Sequence, residues 1–233
     1  MASQLITNLD RFATCLQWDD HLKEGYLLVP DHPELRLTPA REGDEDDLVK
    51  LYNDPIAASK MWQEPYPYPR SYAEETIRSQ LLMATEQNHL VQAILANNSQ
   101  TLSQVMDRPI CGFTKLRSLN GELLADLTLS GFVSYKEDIA PSTETLPPHE
   151  QVWISRYAIR PEFRRRGLMK AALEALFFGW VKRYMGIKAI GAYVEGDSTP
   201  SLSLIKSLGF TEVRRWQGVK PLEAGGGKWR SQG

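Results

Sequence analysis

The sequence predicts an α/β fold of the mixed α+β type, in which helices flank one sheet. The apolar and aromatic run over Val152–Ile159 has the length and composition of a strand. The stretch from Leu168 to Tyr184 then repeats its apolar residues at helical spacing. No internal repeat and no clear linker divides the 233-residue chain, so the strands and helices are expected to share one core.

The first third of the chain is predicted to contain an extension and the first elements of the domain. Residues 1–33 form the N-terminal extension, with one short helix over Leu9–Leu22. Alternating residues at Leu35–Thr38 predict a strand. The acidic run Glu42–Asp47 favours a helix start, because carboxylates complement the positive end of the helix dipole. The polar and aromatic segment Trp62–Arg70 is predicted to be a loop.

The rest of the chain is predicted to alternate strands and helices. Ser71 and Glu74 have the spacing of a capping box and predict a helix. Further strands are predicted at His89–Ala96, Ile110–Leu116, Leu124–Tyr135, Ala189–Val194 and Phe210–Trp216. A helix over Pro200–Leu208 is expected to end at Gly209. The domain should then span residues 34–220, followed by a flexible tail over residues 221–233.

Composition narrows the classes of function. The 27 Lys+Arg and 29 Asp+Glu residues give a formal net charge of −2, unlike the basic surface of a nucleic-acid-binding protein. No run approaches the roughly 20 apolar residues that span a bilayer, and the N-terminus has no secretory pattern. The four scattered histidines predict no metal site. Cys15 and Cys111 suggest free thiols in a reducing compartment, so we expect a cytoplasmic protein, with a nuclear location left open.

A basic turn joins the predicted strand Val152–Ile159 to the helix that begins near Leu168. The turn contains the run Arg164-Arg165-Arg166-Gly167. Backbone N–H groups in the first turn of a helix have no partner within the helix, and the helix dipole adds positive charge there. The pattern therefore predicts a phosphate site. A solvated surface turn is the first alternative, and a nucleic-acid contact is a distant second because the chain has no excess of positive charge.

The turn resembles motif A of the GNAT superfamily of acyl-CoA-dependent N-acetyltransferases, Arg/Gln-x-x-Gly-x-Gly/Ala. Arg164 fills its first place and Gly167 its fourth, whereas Met169 replaces the final small residue. Three other segments are similar to RimJ/RimL-type members of the family: Leu35–Ala40, Tyr52–Pro55, and Ser198-x-x-Ser201 followed by Gly209-Phe210. The resemblance covers roughly residues 34–216.

This resemblance implies a GNAT fold and acetyl-CoA as the cofactor. In the family, two parallel strands of a mostly antiparallel mixed sheet splay apart, and here these would be Trp153–Ile159 and Ala189–Val194. Pantetheine pairs with the edge of the first strand, and the basic turn holds the pyrophosphate. The cofactor-binding residues implied are Tyr157, Ala158, Ile159, Arg164, Arg165, Arg166, Gly167, Leu168, Met169, Lys170 and Ser198.

The resemblance also implies catalytic and acceptor residues. Ser201 falls near the CoA sulfur and is expected to protonate or orient it, with a capping serine as an equal alternative. Glu195 is the first candidate for the base and Glu150 the second, although either carboxylate could simply lie on the surface. Ile205 replaces a tyrosine of other branches. The acceptor wall is implied by Trp62, Tyr66 and Tyr68, unless these rings only pack against the sheet.

These features predict an acetyl-CoA-dependent N-acetyltransferase that acts on a protein N-terminus or a small amine by direct attack in a ternary complex. The alternative is a GNAT-fold module that binds CoA without catalysis, suggested by the weak base and by Ser198 in place of asparagine. A dinucleotide-binding protein ranks last, since the repeated βαβ pattern and Gly-x-Gly-x-x-Gly are absent. The choice between a monomer and a homodimer stays open.

Overall fold

The structure is a computed structural model that describes residues 11–61, 64–96, 109–131 and 146–215. Within these residues, seven strands form one sheet whose spatial order follows the order of the chain. The strands are β1 (Leu16–Asp19), β2 (Glu24–Leu28), β3 (Leu35–Thr38), β4 (Lys115–Ser118), β5 (Leu123–Gly131), β6 (Val152–Ile159) and β7 (Ala189–Gly191). Neighbouring strands of this sheet are antiparallel up to β6, and β6 and β7 are parallel.

Helices cover both faces of the sheet. They are α1 (Glu45–Asn53), α2 (Pro55–Lys60), α3 (Arg70–Leu95), α4 (Leu168–Glu174) and α5 (Thr199–Ser207). Helix α4 continues directly into a wider π-helical segment, Ala175–Met185. Side chains alternate along β6, so Ala158 packs with residues of α1 and α3, whereas Tyr157 and Ile159 pack against the cluster that contains α4. The mixed sheet with flanking helices confirms the predicted fold class.

The helix predicted over Leu9–Leu22 is wrong in the described part of the chain. Residues from Leu16 onward form β1, which pairs with β2 in a hairpin, and Leu27 of β2 then pairs with Leu37 of β3. Residues within the predicted extension therefore belong to the sheet. Strand pairing is a contact between distant residues, which local periodicity does not show. Where the domain boundaries fall, at 33 and 220, stays a prediction.

The prediction of a strand at His89–Ala96 is also wrong, because α3 runs through it to Leu95. Two buried glutamines, Gln80 and Gln87, interrupt the apolar stripe of this helix and conceal its period in the sequence. The predicted capping box does not form either. The helix begins at Arg70, and Glu74 accepts a hydrogen bond from Arg70 Nε at 3.0 Å.

The other predicted elements are confirmed, shortened or absent. Strands β3 and β6 and helix α5 lie close to their predicted positions, and the predicted helix from Leu168 is formed by α4 and the π-helical segment. Strand β4 begins only at Lys115, and β7 ends at Gly191 rather than Val194. Residues 210–215 form no strand. The predicted tail lies outside the described residues.

Candidate active site

A cleft opens where β6 and β7 separate. The two strands pair only from Val152 to Ile154 of β6, which then continues to Ile159 with no described strand on that side. The Arg160 N–H donates to the Leu124 carbonyl at 3.0 Å, towards β5. Because backbone groups alternate along a strand, those of Tyr157 and Ile159 point to the open edge instead. This edge offers hydrogen-bonding groups to an extended ligand.

The basic turn lies at the end of this open edge. Gly167 precedes α4 with a φ of 77°, a left-handed conformation that glycine adopts without a steric penalty. Apart from its neighbours in the chain, no described atom lies within 4 Å of the position that a Cβ of Gly167 would occupy. The first N–H groups of α4 have no partner within the helix, so this helix end suits a phosphate.

The side chain of Arg164 points inward rather than towards a phosphate. Its Nε donates to the Ile159 carbonyl at 3.1 Å, and its guanidinium pairs with the Asp54 carboxylate. Burial would raise the pKa of Asp54, but hydrogen bonds from Arg164 and the Ala57 N–H outweigh it and lower the pKa. In this structure the Arg164 side chain therefore ties the turn to the end of β6, and its predicted part in cofactor binding stays a prediction.

The remaining residues of the turn divide into exposed and buried side chains. Arg165 and Arg166 are exposed, and the Arg166 guanidinium lies 5.6 Å from the centre of the Phe163 ring. Leu168 and Met169 are buried in the main core. The large Met169 side chain therefore takes no space from the turn, although it replaces the small residue of the motif. Only the backbone of these two residues faces the candidate phosphate site.

Tyr157 of β6 and Ser201 of α5 lie side by side in the cleft region. Burial raises the pKa of Tyr157, and the neighbouring Ser201 hydroxyl lowers it in part. The Tyr157 hydroxyl is buried, and no hydrogen bond joins it to a described residue. Ser198 is also buried and precedes α5, where its N–H donates to the Glu195 carbonyl at 2.9 Å. The predicted residues Ser198 and Ser201 thus lie on the start of the helix that faces β6.

The two candidate bases occupy different surroundings. Glu195 lies in the segment between β7 and α5, with its Oε2 3.1 Å from Lys60 Nζ of α2. Lys60 also contacts Asp197 at 2.8 Å, and this hydrogen bond is the main cause of a lowered Asp197 pKa. Glu150 precedes β6 at its paired end and lies 3.6 Å from Lys188. Since the cleft opens at the other end of β6, the position of Glu150 does not favour it as the base.

The three predicted acceptor residues also have different surroundings. Trp62 lies outside the described residues, and Tyr66 is 44% exposed. Tyr68 is only 2% exposed and stacks on Tyr52 with ring centroids 4.8 Å apart. Burial raises the pKa of Tyr68 to about 12. Tyr68 thus packs in the core, as in the alternative that the sequence left open, and its role towards an acceptor stays a prediction.

A comparison with models of protein families shows which family this chain belongs to. The model of the Acetyltransferase (GNAT) family matches residues 58–210, about two thirds of the sequence. The chain belongs to the GNAT family. No curated protein matches the sequence of this GNAT chain.

Several solved structures resemble this GNAT chain over most of its length. A protein provisionally assigned as a phosphinothricin N-acetyltransferase has a TM-score of 0.49 and 16% identity, covering 82% of this chain and 90% of the other. RimL, a ribosomal L7/L12 alpha-N-protein acetyltransferase, has a TM-score of 0.49 and 13% identity over 78% and 79% of the two chains. Mycobacterium smegmatis RimJ in complex with CoA-disulfide has a TM-score of 0.48 and 14% identity over 76% and 70%.

The GNAT chain also contains charged side chains that the sequence patterns did not single out. Glu64 is largely buried and lies 3.2 Å from Arg156 of β6. Lys115 and Asp126 form a buried ion pair, to which Gln80 adds a hydrogen bond from Lys115 Nζ at 2.6 Å. In the sequence, only the presence of a lysine inside a strand could have indicated this buried ion pair. Across the described ranges, no group of three His, Cys, Asp or Glu residues is arranged to hold a metal.

None of the helices in the described ranges of this GNAT chain is both long enough and apolar enough to cross a bilayer. The longest, α3, carries several charged and amide side chains between Arg70 and Leu95.

Proposed function

We propose that this GNAT protein transfers an acetyl group from acetyl-CoA to a primary amine, either a protein N-terminus or a small molecule, with both substrates bound together. The observation that carries this proposal is the open edge of β6, which leads directly into the left-handed turn at Gly167. Acetyl-CoA supplies the acetyl group as a reactive thioester. An extended amide chain and a pyrophosphate match these two adjoining features.

The residues that would hold CoA contribute mostly backbone atoms. The backbone of Tyr157 and the N–H of Ile159 would pair with the ligand at the open edge, since the Ile159 carbonyl accepts from Arg164. The N–H groups from Gly167 to Lys170 would bind the phosphates. Exposed Arg165 and Arg166 add positive charge beside the turn. The Ile159 N–H is placed to polarise a carbonyl held along β6. Alignment of the two substrates would supply much of the rate.

Proton transfer is proposed to involve Ser201 and Glu195. Ser201 orients or protonates the leaving sulfur, and Glu195 accepts a proton from the amine directly or through water. Glu195 already contacts a cation in this structure, since its Oε2 lies 3.1 Å from Lys60 Nζ. An α-amine has a pKa near ~8, against ~10.4 for lysine, and needs less help from a base. This difference favours an α-amine acceptor, in keeping with a RimJ/RimL-like branch.

The alternative proposal is a GNAT module that binds CoA without transferring acetyl groups. The engagement of Glu195 by Lys60 is the observation that favours it. Turnover of any amine by the purified protein would exclude this alternative. For either proposal, both cysteines are free and buried, which supports a reducing compartment such as the cytosol.

Thermal unfolding with acetyl-CoA, CoA, NAD and ATP tests the cofactor. At about 100 times its dissociation constant, a ligand stabilises the fold by about 2.7 kcal/mol. We expect a raised unfolding midpoint with acetyl-CoA and CoA only. No shift with either CoA form at millimolar concentration would contradict the cofactor assignment. A screen of peptide N-termini and small amines then separates the enzyme from the CoA-binding module.

A further inference from the structure

A primary amine of the chain itself lies next to the proposed base. Lys60, the last residue of α2, has its Nζ 3.1 Å from Glu195 Oε2 and 2.8 Å from each carboxylate oxygen of Asp197. The side chains of Lys60 and Glu195 are partly shielded from water, with 32% and 17% of their surfaces exposed. A base takes a proton from an amine within hydrogen-bond reach, about 2.6–3.2 Å between heavy atoms. The distance between Lys60 and Glu195 lies within this range.

Helix α2 holds this amine between the two sides of the cleft. At its start, Asp54 pairs with Arg164, which in turn donates to the Ile159 carbonyl at the end of β6. At its other end, Lys60 contacts Glu195 in the segment after β7. The six residues of α2 span only about 9 Å. The Lys60 amine is therefore held close to the open edge of β6, along which the thioester is proposed to lie.

We propose that Lys60 is a site of self-acetylation, at which bound acetyl-CoA transfers its acetyl group to the Nζ of the same chain. The inference rests on the proposed acetyltransferase function, with Glu195 as the base. A lysine amine needs more help from a base than an α-amine does, and the contact with Glu195 supplies that help. Because the fold already holds the amine in place, no acceptor has to be collected from solution.

The step balances with acetyl-CoA as the only co-reactant. Glu195 takes one proton from the Lys60 ammonium, and the nitrogen lone pair then forms a bond to the thioester carbon. As the carbon–sulfur bond breaks, its electron pair goes to sulfur, which takes a second proton from the nitrogen directly or through water. Glu195 returns its proton to water. The product amide is uncharged, so the modification removes a cation from beside Glu195 and Asp197.

Mass spectrometry of the purified protein incubated with acetyl-CoA tests this proposal. The intact mass counts the acetyl groups, and peptide mapping locates them. Lys50 is the matched control in the same molecule, since it lies on α1 with an exposed side chain 3.6 Å from Asp47. We expect Lys60 to be acetylated at least about tenfold faster than Lys50. An excess of CoA, which competes for the cofactor site, should suppress acetylation of Lys60 and leave that of Lys50 unchanged.

Two variants and one dilution series identify the route of the transfer. Glu195→Gln keeps the size of the side chain but removes the base, and should slow acetylation of Lys60 about a hundredfold. Lys60→Arg keeps the positive charge and should remove only this modification. The rate for each molecule of wild type should not change with protein concentration, because the amine and the active site belong to one chain.

The opposite results would overturn the inference. Equal rates at Lys60 and Lys50, or a Lys60 rate that CoA does not lower, would indicate spontaneous chemistry in solution. A rate that rises with protein concentration would indicate transfer between molecules, and an unchanged rate in Glu195→Gln would remove the base from the step. Acetylation of added amines with Lys60 unmodified would reject this inference alone. A wild type that binds no acetyl-CoA would reject the proposed function as well.

Discussion

The left-handed backbone at Gly167 decides whether the basic turn can approach a phosphate. It has a φ of 77°, directly precedes α4, and has open space where a side chain would lie. The arginines around it differ in orientation. The side chain of Arg164 is turned inward, whereas Arg165 and Arg166 are exposed. Backbone geometry therefore contributes the shape of the site, and the exposed guanidinium groups contribute charge.

Gly167→Asp should abolish acetyl-CoA binding, because it places a carboxylate where the pyrophosphate is proposed to lie. Gly43→Asp is a matched control, since Gly43 has a φ of 93° and equally open surroundings before α1. Both variants should lose a similar amount of stability, about 1 kcal/mol, from the left-handed backbone. Calorimetry with acetyl-CoA measures the difference. Normal binding by Gly167→Asp would show that the phosphate site lies elsewhere.

Helix α3 and strands β4 and β5 are joined through buried polar groups. Gln80 of α3 accepts a hydrogen bond from Lys115 of β4, which also pairs with Asp126 of β5. Tyr52 of α1 donates to the same Asp126, and burial followed by the Asp126 charge raises the Tyr52 pKa well above its usual value. The network therefore links the sheet to two helices on one face.

Removing one member of the buried ion pair should destabilise these elements strongly. Asp126→Ala leaves Lys115 charged and without its carboxylate, at an expected cost of about 3–5 kcal/mol. The double variant Lys115→Met/Asp126→Leu should lose less, since no uncompensated charge remains. Urea unfolding of the single and double variants measures both costs. A double variant less stable than Asp126→Ala would contradict this account.

Contacts between distant parts of the chain assemble the two sides of the cleft. Arg164 of the basic turn pairs with Asp54, which lies 110 positions earlier and also accepts the Ala57 N–H of α2 at 2.9 Å. Lys60 at the end of α2 contacts Asp197 before α5. Helix α2 is thus connected to the turn after β6 and to the segment after β7, and it couples the proposed cofactor side to the proposed base.

Asp54→Asn should reduce the free energy of unfolding by about 1.5–3 kcal/mol at neutral pH, the range for a hydrogen bond to a charged group. The pKa of Asp54 is lowered in the folded state. Its contribution is therefore complete above the unfolded value of ~3.9 and lost as pH falls below it. Unfolding measured from pH 7 to pH 3 should show a weaker acid dependence for Asp54→Asn than for the wild type.

The exposed Asp197 provides the control for this pH dependence. Its pKa is also lowered, by Lys60, but the carboxylate is largely in water. An exposed ion pair contributes little to stability, so Asp197→Asn should unfold much like the wild type. Equal acid dependence for Asp54→Asn and the wild type would contradict the role assigned to the Asp54–Arg164 pair.

The sequence by itself determined the features that depend on neighbouring residues. The apolar run of β6, the glycine-bearing basic turn and the helical spacing after Leu168 are local patterns, and each predicted element is present. Their order also predicted the GNAT family, which the family comparison confirms. Local propensity and backbone geometry suffice for such predictions, because the relevant residues lie within one or two turns of each other.

The tertiary structure alone decided how these elements meet. Strand β1 forms by pairing with β2, and β2 by pairing with β3 as well. Helix α3 extends through its apolar and glutamine contacts rather than ending before His89. The same holds for side chains, since Arg164 is turned inward by its pairing with Asp54. Each of these depends on residues far apart in the chain, whose proximity no local pattern encodes.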